Sequence, residues 1–346
     1  MTFAFTNPLI EPSWNEWVLE HEAASIFHTV EWARVLTECY RYPVHYGVLK
    51  EGQQVVGLLP MMEVASFVTG RRGVSLPFSD ECASLLSKGV SLESLVEPMR
   101  VLGRERGWEY LELRGEAGSV PGAARSDEHR VHYLSLEGSE EAQVKRLGDS
   151  HRRNIQKARK AGVEIQRLQT REAMDAYYAL HCLTRQRQGV PPQSRHFFHA
   201  VHECVIARGH GFVLLARFQG QWIAGAVYLH FGPKALYKFG GSNLAFQQLR
   251  ANNLLMWEAI RHRREAGLKE LSFGRTDPSN LGLLQFKRGW GANELTLAYY
   301  RMPVAKGMHF RRMDPGGAVR TGSKIMQHMP IAMLRLLGSL AYRHMG

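Results

Sequence analysis

Gly52-Gln53-Gln54-Val55-Val56-Gly57 returns 168 residues later as Gly220-Gln221-Trp222-Ile223-Ala224-Gly225. Apolar runs flank both copies, at 46–49 and 58–62 around the first and at 212–218 and 226–231 around the second. Each copy reads as a β-hairpin whose turn carries glycine, the residue that accepts the positive φ such turns need. A second match joins Arg104-Glu105-Arg106-Gly107-Trp108-Glu109-Tyr110-Leu111 to Arg264-Glu265-Ala266-Gly267-Leu268-Lys269-Glu270-Leu271, at an offset of 160. In both, a charged helix end stops at glycine, which takes the left-handed conformation that closes helices, and a strand begins. The shared order and the nearly equal offsets predict a duplicated α/β unit.

The second copy is the more legible. Strands are predicted at 212–218, 223–231 and 235–240, the last from its two-faced alternation. Leu255, Met256, Ala259 and Ile260 recur at helical spacing and predict a helix over 252–266. A strand at 271–274, a short helix at 281–290 and a strand at 295–300 complete it. The expected organisation is 1–140, 141–303 and a basic helical tail, 304–346.

The chain has 346 residues and a net charge of +12 at pH 7, with pI ≈ 9.7. Such a surface favours anionic partners: RNA, nucleotide diphosphates, anionic glycans or acidic headgroups. Cys39, Cys82, Cys182 and Cys204 show neither zinc spacing nor the density of a disulfide scaffold. The N-terminus lacks the pattern of a secretory signal. No run of about 18 apolar residues occurs. A cytoplasmic protein is expected, at most peripheral to the inner face of the membrane.

The segment 142–161, predicted as one helix, is the most basic. Arg153, Lys157 and Lys160 share a face by their spacing, opposite an apolar stripe of Val144, Leu147, Ile155 and Ala158. Arginine offers a planar donor fork and lysine a point charge, both suited to phosphates. Arg275 follows a strand end and can take a carboxylate or phosphate, or pair with Asp277. His196, His199 and His202 recur every third residue without convincing metal spacing, and no metal is expected. His-Glu-x-x-His, P-loop and Gly-x-Ser-x-Gly motifs are absent. The tail holds seven lysines and arginines (Lys306, Arg311, Arg312, Arg320, Lys324, Arg335 and Arg343) against Asp314 alone. With Ile331, Leu334, Leu337 and Ala341 on one stripe, it can lie on an anionic membrane or dock back on the first domain.

Several stretches together resemble the FemAB-like proteins, over about residues 25–300. They are Ile26-Phe27-His28-Thr29-Val30-Glu31-Trp32, Val74-Ser75-Leu76-Pro77-Phe78-Ser79-Asp80, the basic run from His151 to Val163, Phe273-Gly274-Arg275, and Phe286-Lys287-Arg288-Gly289-Trp290-Gly291. Ser323-Lys324-Ile325-Met326-Gln327-His328-Met329-Pro330-Ile331 resembles the tail of the branch associated with exosortase/PEP-CTERM and exopolysaccharide loci, with Met329 in place of that branch's leucine.

The resemblance implies an α/β (α+β) chain of two tandem GNAT-like domains, in which two central parallel strands splay apart around the acyl donor. It implies an N-acyltransferase that passes an acyl or aminoacyl group to an amine on an envelope or exopolysaccharide precursor. Lys287 is its expected cation at the reacting carbonyl and Asp80 the expected base for the amine, unless Asp80 only caps a helix. Phe286, Arg152, Arg153, Asn154, Lys157, Tyr237, Lys238 and Arg275 are the expected substrate contacts. No cofactor is expected to stay bound. The donor is aminoacyl-tRNA or acyl-CoA, and the acceptor nucleotide- or lipid-linked. Residues 244–253 lack the Gly-x-Gly of acetyl-CoA enzymes, so Arg250 and Asn252 are the substitutes there. Two other readings are an acyl-CoA- or acyl-carrier-dependent acetyltransferase of a small molecule or sugar, and a non-catalytic binding module.

Overall fold

The computed structural model describes the backbone of residues 1–304 and 317–346 and the side chains of 1–304 and 323–346. Lys306, Arg311, Arg312, Asp314 and the Arg320 side chain lie outside the described residues. The first half runs β1 (Thr2–Thr6), α1 (Trp14–Leu19), α2 (Val30–Tyr40), β2 (Tyr46–Glu51), β3 (Gln54–Leu59), β4 (Met62–Ser66), β5 (Gly70–Val74), β6 (Leu85–Leu86), α3 (Glu93–Arg106) and β7 (Tyr110–Arg114). The second half begins with β8 (Ala124–Ser135), α4 (Glu140–Arg146), α5 (Asp149–Lys160), β9 (Glu164–Leu168), α6 (Arg171–Arg187) and α7 (Arg195–Val201). It continues with β10 (Gly211–Phe218), β11 (Gln221–Phe231), β12 (Lys234–Ser242), α8 (Ala251–Glu265), β13 (Glu270–Thr276), α9 (Leu281–Arg288) and β14 (Asn293–Pro303). Two helices follow, α10 (Gly317–His328) and α11 (Ile331–Ala341).

Both repeated features take the same local form. The hairpins β2–β3 and β10–β11 turn with positive φ at Gly52 and Gly220. At the ends of α3 and α8, Trp108 N donates to Gly103 O and Leu268 N to Arg263 O, bonds that span the same five residues at the same offset of 160. Gly107 and Gly267 sit inside these closures with φ of 69° and 77°, as the Schellman arrangement requires. The halves differ at Pro60. The counterpart of β11 is broken there into β3 and β4, because proline cannot donate to a strand ladder. The apolar run 58–62 is therefore not one strand.

Among the described residues, one compact unit comprises 1–129, 296–304 and 341–346, and the other 130–295 and 317–340. Pairing, rather than chain order, sets this division, which departs from the contiguous cuts at 140 and 303. β14 pairs antiparallel with β7, from Tyr299 opposite Arg114 to Pro303 opposite Tyr110. β8 pairs antiparallel with β13 through residues 130–135.

In the first unit β1-β2-β3-β6 form one sheet, and β4, β5, β7 and β14 are consecutive neighbours. β5 and β7 run parallel through Arg72–Val74 and Tyr110–Glu112. Beyond that register they stay stitched together: Ser75 N donates to Glu112 O (2.9 Å) and Arg114 N to Ser75 Oγ (2.8 Å). Burial opposes ionisation of Glu112, yet Arg114 and Arg301 bring its carboxyl down to about 2.

In the second unit the strand order is β8-β13-β12-β11-β10-β9. Its core gathers Leu214, Ala224 and Tyr228 from the sheet and Leu255, Met256, Ala259 and Ile260 from α8. The helix expected over 142–161 is two helices. Gly148 is extended between them, at φ −61° and ψ 146°, and its N–H donates 2.9 Å to Gly289 O.

The tail docks on protein. Gln186 Nε2 donates to Met329 O (2.9 Å), and Arg335 lies over the Tyr178 ring. Leu334 and Gly338 form the buried face of α11, so the expected stripe is rotated, and Leu337 is exposed. Past α11, Tyr42 Oη donates to Arg343 O (3.0 Å) and Arg72 Nη2 to Gly346 O (2.6 Å), within the first unit. Among the described residues no helix is long and apolar enough to cross a membrane.

Candidate active site

β12 and β13 run parallel for three residue pairs only, Lys234↔Glu270, Ala235↔Leu271 and Leu236↔Ser272. Both strands continue past that register without pairing to each other. A bulge marks each departure. On β12 the register against β11 jumps from Tyr237 to Phe239, leaving Lys238 as the extra residue. On β13 it jumps from Ser272 to Arg275 against β8, so Phe273 and Gly274 oppose His132. A bulge adds a residue and bends its strand. Two of them here turn a parallel pair into a fork. The stitching at Ser75 gives the first unit no such opening.

Lys287 comes to this fork from α9. Asn280 caps that helix, its side chain accepting from Leu283 N. The lysine is 2% exposed, and its Nζ donates to Gly274 O (2.7 Å) and more weakly to Arg275 O (3.4 Å). The carbonyls lost to the ladder at the bulge are thus recovered by an ammonium. Phe286, one residue earlier, packs half-buried against His151 and Trp290, and its carbonyl oxygen lies 2.9 Å from His151 Nε2. The basic run beginning at His151 and the Phe-Lys stretch are therefore brought together.

Tyr237 and Lys238 are the first residues of β12 beyond the parallel pairing. The tyrosine ring folds back along its own strand. A Cβ added at Gly240 would lie 1.8 Å from Tyr237 Oη, so any larger residue there forces the ring to shift. Burial pushes the Tyr237 phenol up to about 12. Arg275 is exposed on β13. Arg250 and Asn252 are exposed at the start of α8, where no side chain caps the helix. On α5, Arg152, Arg153 and Lys157 are exposed and Asn154 is half-buried. Arg152 pairs with Asp149.

Asp80 belongs to the first unit. It lies on the loop after β5, not at a helix start, and its carbonyl oxygen accepts from Tyr299 Oη (2.5 Å). His199 Nε2 pairs with Asp175 (2.7 Å) and His202 Nε2 with Gln169 O (2.9 Å). These two of the three spaced histidines thus have separate partners.

His132 escapes a reading of the sequence. Its side chain is closed to solvent, with Nε2 3.0 Å from Glu294 Oε2 and Nδ1 lacking a partner among the described residues. Burial, and then Lys287, hold its pKa below the ordinary 6.5. Arg288 binds Glu294 at both oxygens and, with His132, draws that carboxyl down to about 2. Thr276 Oγ1, buried on the same strand as Gly274, is likewise without a partner. The only sequence signal is an imidazole inside the run Val131 to Leu136.

Residues 146–288 match the acetyltransferase (GNAT) domain family. A stretch of 85 residues is 33% identical to a lipid II:glycine glycyltransferase of Staphylococcus haemolyticus, covering 22% of this chain. The match spans about a fifth (20%) of that relative's length. The crystal structure of FemX superposes with a TM-score of 0.71 at 12% identity, covering 88% of this chain and 97% of FemX. A tandem GNAT protein from the clavulanic acid biosynthesis pathway superposes at 0.56 and 12% identity, covering 89% of this chain and all of that one. With a GNAT domain matched in its second half, the chain has the fold of FemX along most of its length.

Proposed function

We propose that this chain is an N-acyltransferase that moves an acyl or aminoacyl group onto an amine of a cell-envelope precursor. The observation that carries this reading is the fork between β12 and β13, with the buried ammonium of Lys287 fixed at its bulge. An amine nitrogen bonds to the donor's carbonyl carbon, and the ester C–O or thioester C–S bond breaks. The proton shed by the amine goes to the departing hydroxyl or thiol. Negative charge gathers on the carbonyl oxygen in between. A preorganised cation in a site shielded from water stabilises that charge without reorganising. Phe286, Tyr237, Lys238 and Arg275 are the proposed substrate contacts.

Aminoacyl-tRNA is the favoured donor. The exposed cations of α5 suit a polyanion, and the start of α8 has no glycine-rich cradle. The similarity to a lipid II:glycine glycyltransferase supports transfer of an aminoacyl group and a lipid-linked acceptor. Acyl-CoA is the second reading, favoured by the uncapped backbone N–H groups at the start of α8. The tail motif from Ser323 to Ile331 supports an acceptor from an exopolysaccharide system. Exposed Met333, Leu336, Leu337 and Leu340 on α11, with no acidic residue from 317 to 346, support peripheral contact with an anionic membrane.

Mixing the protein with charged aminoacyl-tRNA or acyl-CoA and a lipid-linked amine, then following product by mass spectrometry, tests the proposal. Transfer from either donor supports it and names the donor. Binding without transfer from any donor would leave only the non-catalytic module.

A further inference from the structure

The second unit also buries a cation that has no counter-ion among the described residues. Arg263, in the last turn of α8, is 4% exposed, and no acceptor among the described residues meets its Nε or Nη2. Its guanidinium lies 4.1 Å from the centroid of the Phe212 ring. A second guanidinium, that of Arg167 on β9, lies 5.8 Å from the same centroid. His262 approaches that ring edge-on. The ionised neighbour that Arg263 feels is therefore another cation. Burial, and then Arg167, pull its pKa down to about 10. Tyr228, its other partner in charge, is pushed well above 10 by burial and is neutral at pH 7.

Beside Arg167 lies a cavity of about 220 Å³, bordered by Arg159, Arg167, Glu258 and His262 with an apolar floor of Val163, Ile165 and Leu254; Arg263 stands behind this wall, next to His262 on α8. Glu258 is already engaged by Arg159 and by Arg261, each at 3.0 Å. The cluster keeps a surplus of positive charge on Arg263 and Arg167. A buried ion left unpaired is strongly destabilising, and a bound anion removes that penalty. None of the fork residues Tyr237, Lys238, Gly274, Arg275 and Lys287 borders this cavity.

We infer that Arg167 and His262, with the buried charge of Arg263 behind them, form an oxyanion site that takes a phosphate group, either the free ion or a small phosphomonoester. The cavity is smaller than the roughly 300 Å³ at which pockets for larger organic ligands begin, which favours a compact tetrahedral anion. Arginine forks match phosphate geometry and give the site its selectivity over halide. The inference stands apart from the acyl-transfer proposal.

Titration calorimetry and thermal shift, with inorganic phosphate, glycerol phosphate and chloride at matched ionic strength, test it. Saturable one-to-one binding of phosphate, with no shift from chloride, is expected. Glycerol phosphate binding as tightly as phosphate identifies a monoester site, and weaker binding identifies the free ion. Arg167→Gln should weaken phosphate at least tenfold, while Arg208→Gln, an exposed arginine elsewhere on the unit, should not. Arg263→Met should abolish the phosphate-dependent rise in Tm and raise Tm in phosphate-free buffer. Equal phosphate affinity in Arg167→Gln and wild type, or no saturable binding in wild type, would overturn the site.

Discussion

Lys287 Nζ donates 2.7 Å to the carbonyl oxygen of Gly274, so a side chain from α9 fastens the bulge at which β13 parts from β12. One ammonium therefore holds the fork open and supplies its positive charge. Replacing it with Ala should lower kcat by about 10²- to 10³-fold with KM little changed. It should also cost about 1–3 kcal/mol of stability, because buried carbonyls lose their donor. Turnover equal to wild type, with unchanged circular dichroism, would remove Lys287 from the reaction.

Gly240 and Tyr237 form a close pair on one strand, and a methyl at 240 would occupy the space of the phenolic oxygen. Gly240→Ala should destabilise by about 1–3 kcal/mol through overpacking. Tyr237→Phe in that background should recover part of the loss. A double-mutant cycle in urea measures the coupling, and additive effects would mean that the ring does not lie over Gly240.

Burial holds His181 at about 3, and burial with Arg263 holds His230 at about 4. Both titrate near 6.5 in the unfolded chain. Between pH 6.5 and 4 the unfolded state binds protons that the folded state refuses. Stability from these two groups is therefore whole above pH 6.5 and drains as pH falls, by up to about 1.4 kcal/mol per pH unit for each. Urea midpoints across that window should show this slope, reduced in His181→Leu. An identical slope in the variant would place His181 in contact with water.

Much of the second unit was open to pattern reading. Continuous apolar runs in β10 and β11, alternation in β12 and helical spacing in α8 located these elements to within two residues at most ends, because each run is bounded by a turn or a change of period. β8 was not legible: from Arg125 to Arg130 it is almost wholly polar, and apolar alternation begins only at Val131. The break between α4 and α5 rests on a bond from Gly148 to Gly289, too distant in sequence for any local rule. The basic α5 face and the Phe286-Lys287 pair were recognisable as candidates. That the lysine is buried was not, since residue type alone places lysine at the surface.

Charge on α5 provides a direct test of the donor. Arg153→Glu with Lys157→Glu should weaken aminoacyl-tRNA at least tenfold and flatten the dependence of log K on log salt by about one per lost phosphate contact. Filter binding at several salt concentrations measures both. An unchanged salt slope would assign this face to solvent.

Leu336 and Leu340 are 63% and 62% exposed on α11. Wild-type protein should co-sediment with vesicles containing phosphatidylglycerol and not with neutral ones. Changing both leucines to Asp should lower binding at least tenfold, since each buried leucine contributes about 1.5–3 kcal/mol. Equal sedimentation of the variant would leave the helix without a membrane role.

The pairing of β14 with β7 has a consequence for synthesis on the ribosome. Tyr299 lies 185 residues beyond its partner Arg114. At about 5–20 residues per second, the emerging N-terminal half waits roughly 10 to 40 s for its missing strand. Through that interval β7 keeps an open edge, and Leu111 and Leu113 lack Tyr300 and Met302 from their cluster. A fragment ending at residue 140 stays in that condition permanently, so an isolated first half has to carry 296–303 grafted after β7 to acquire its full sheet.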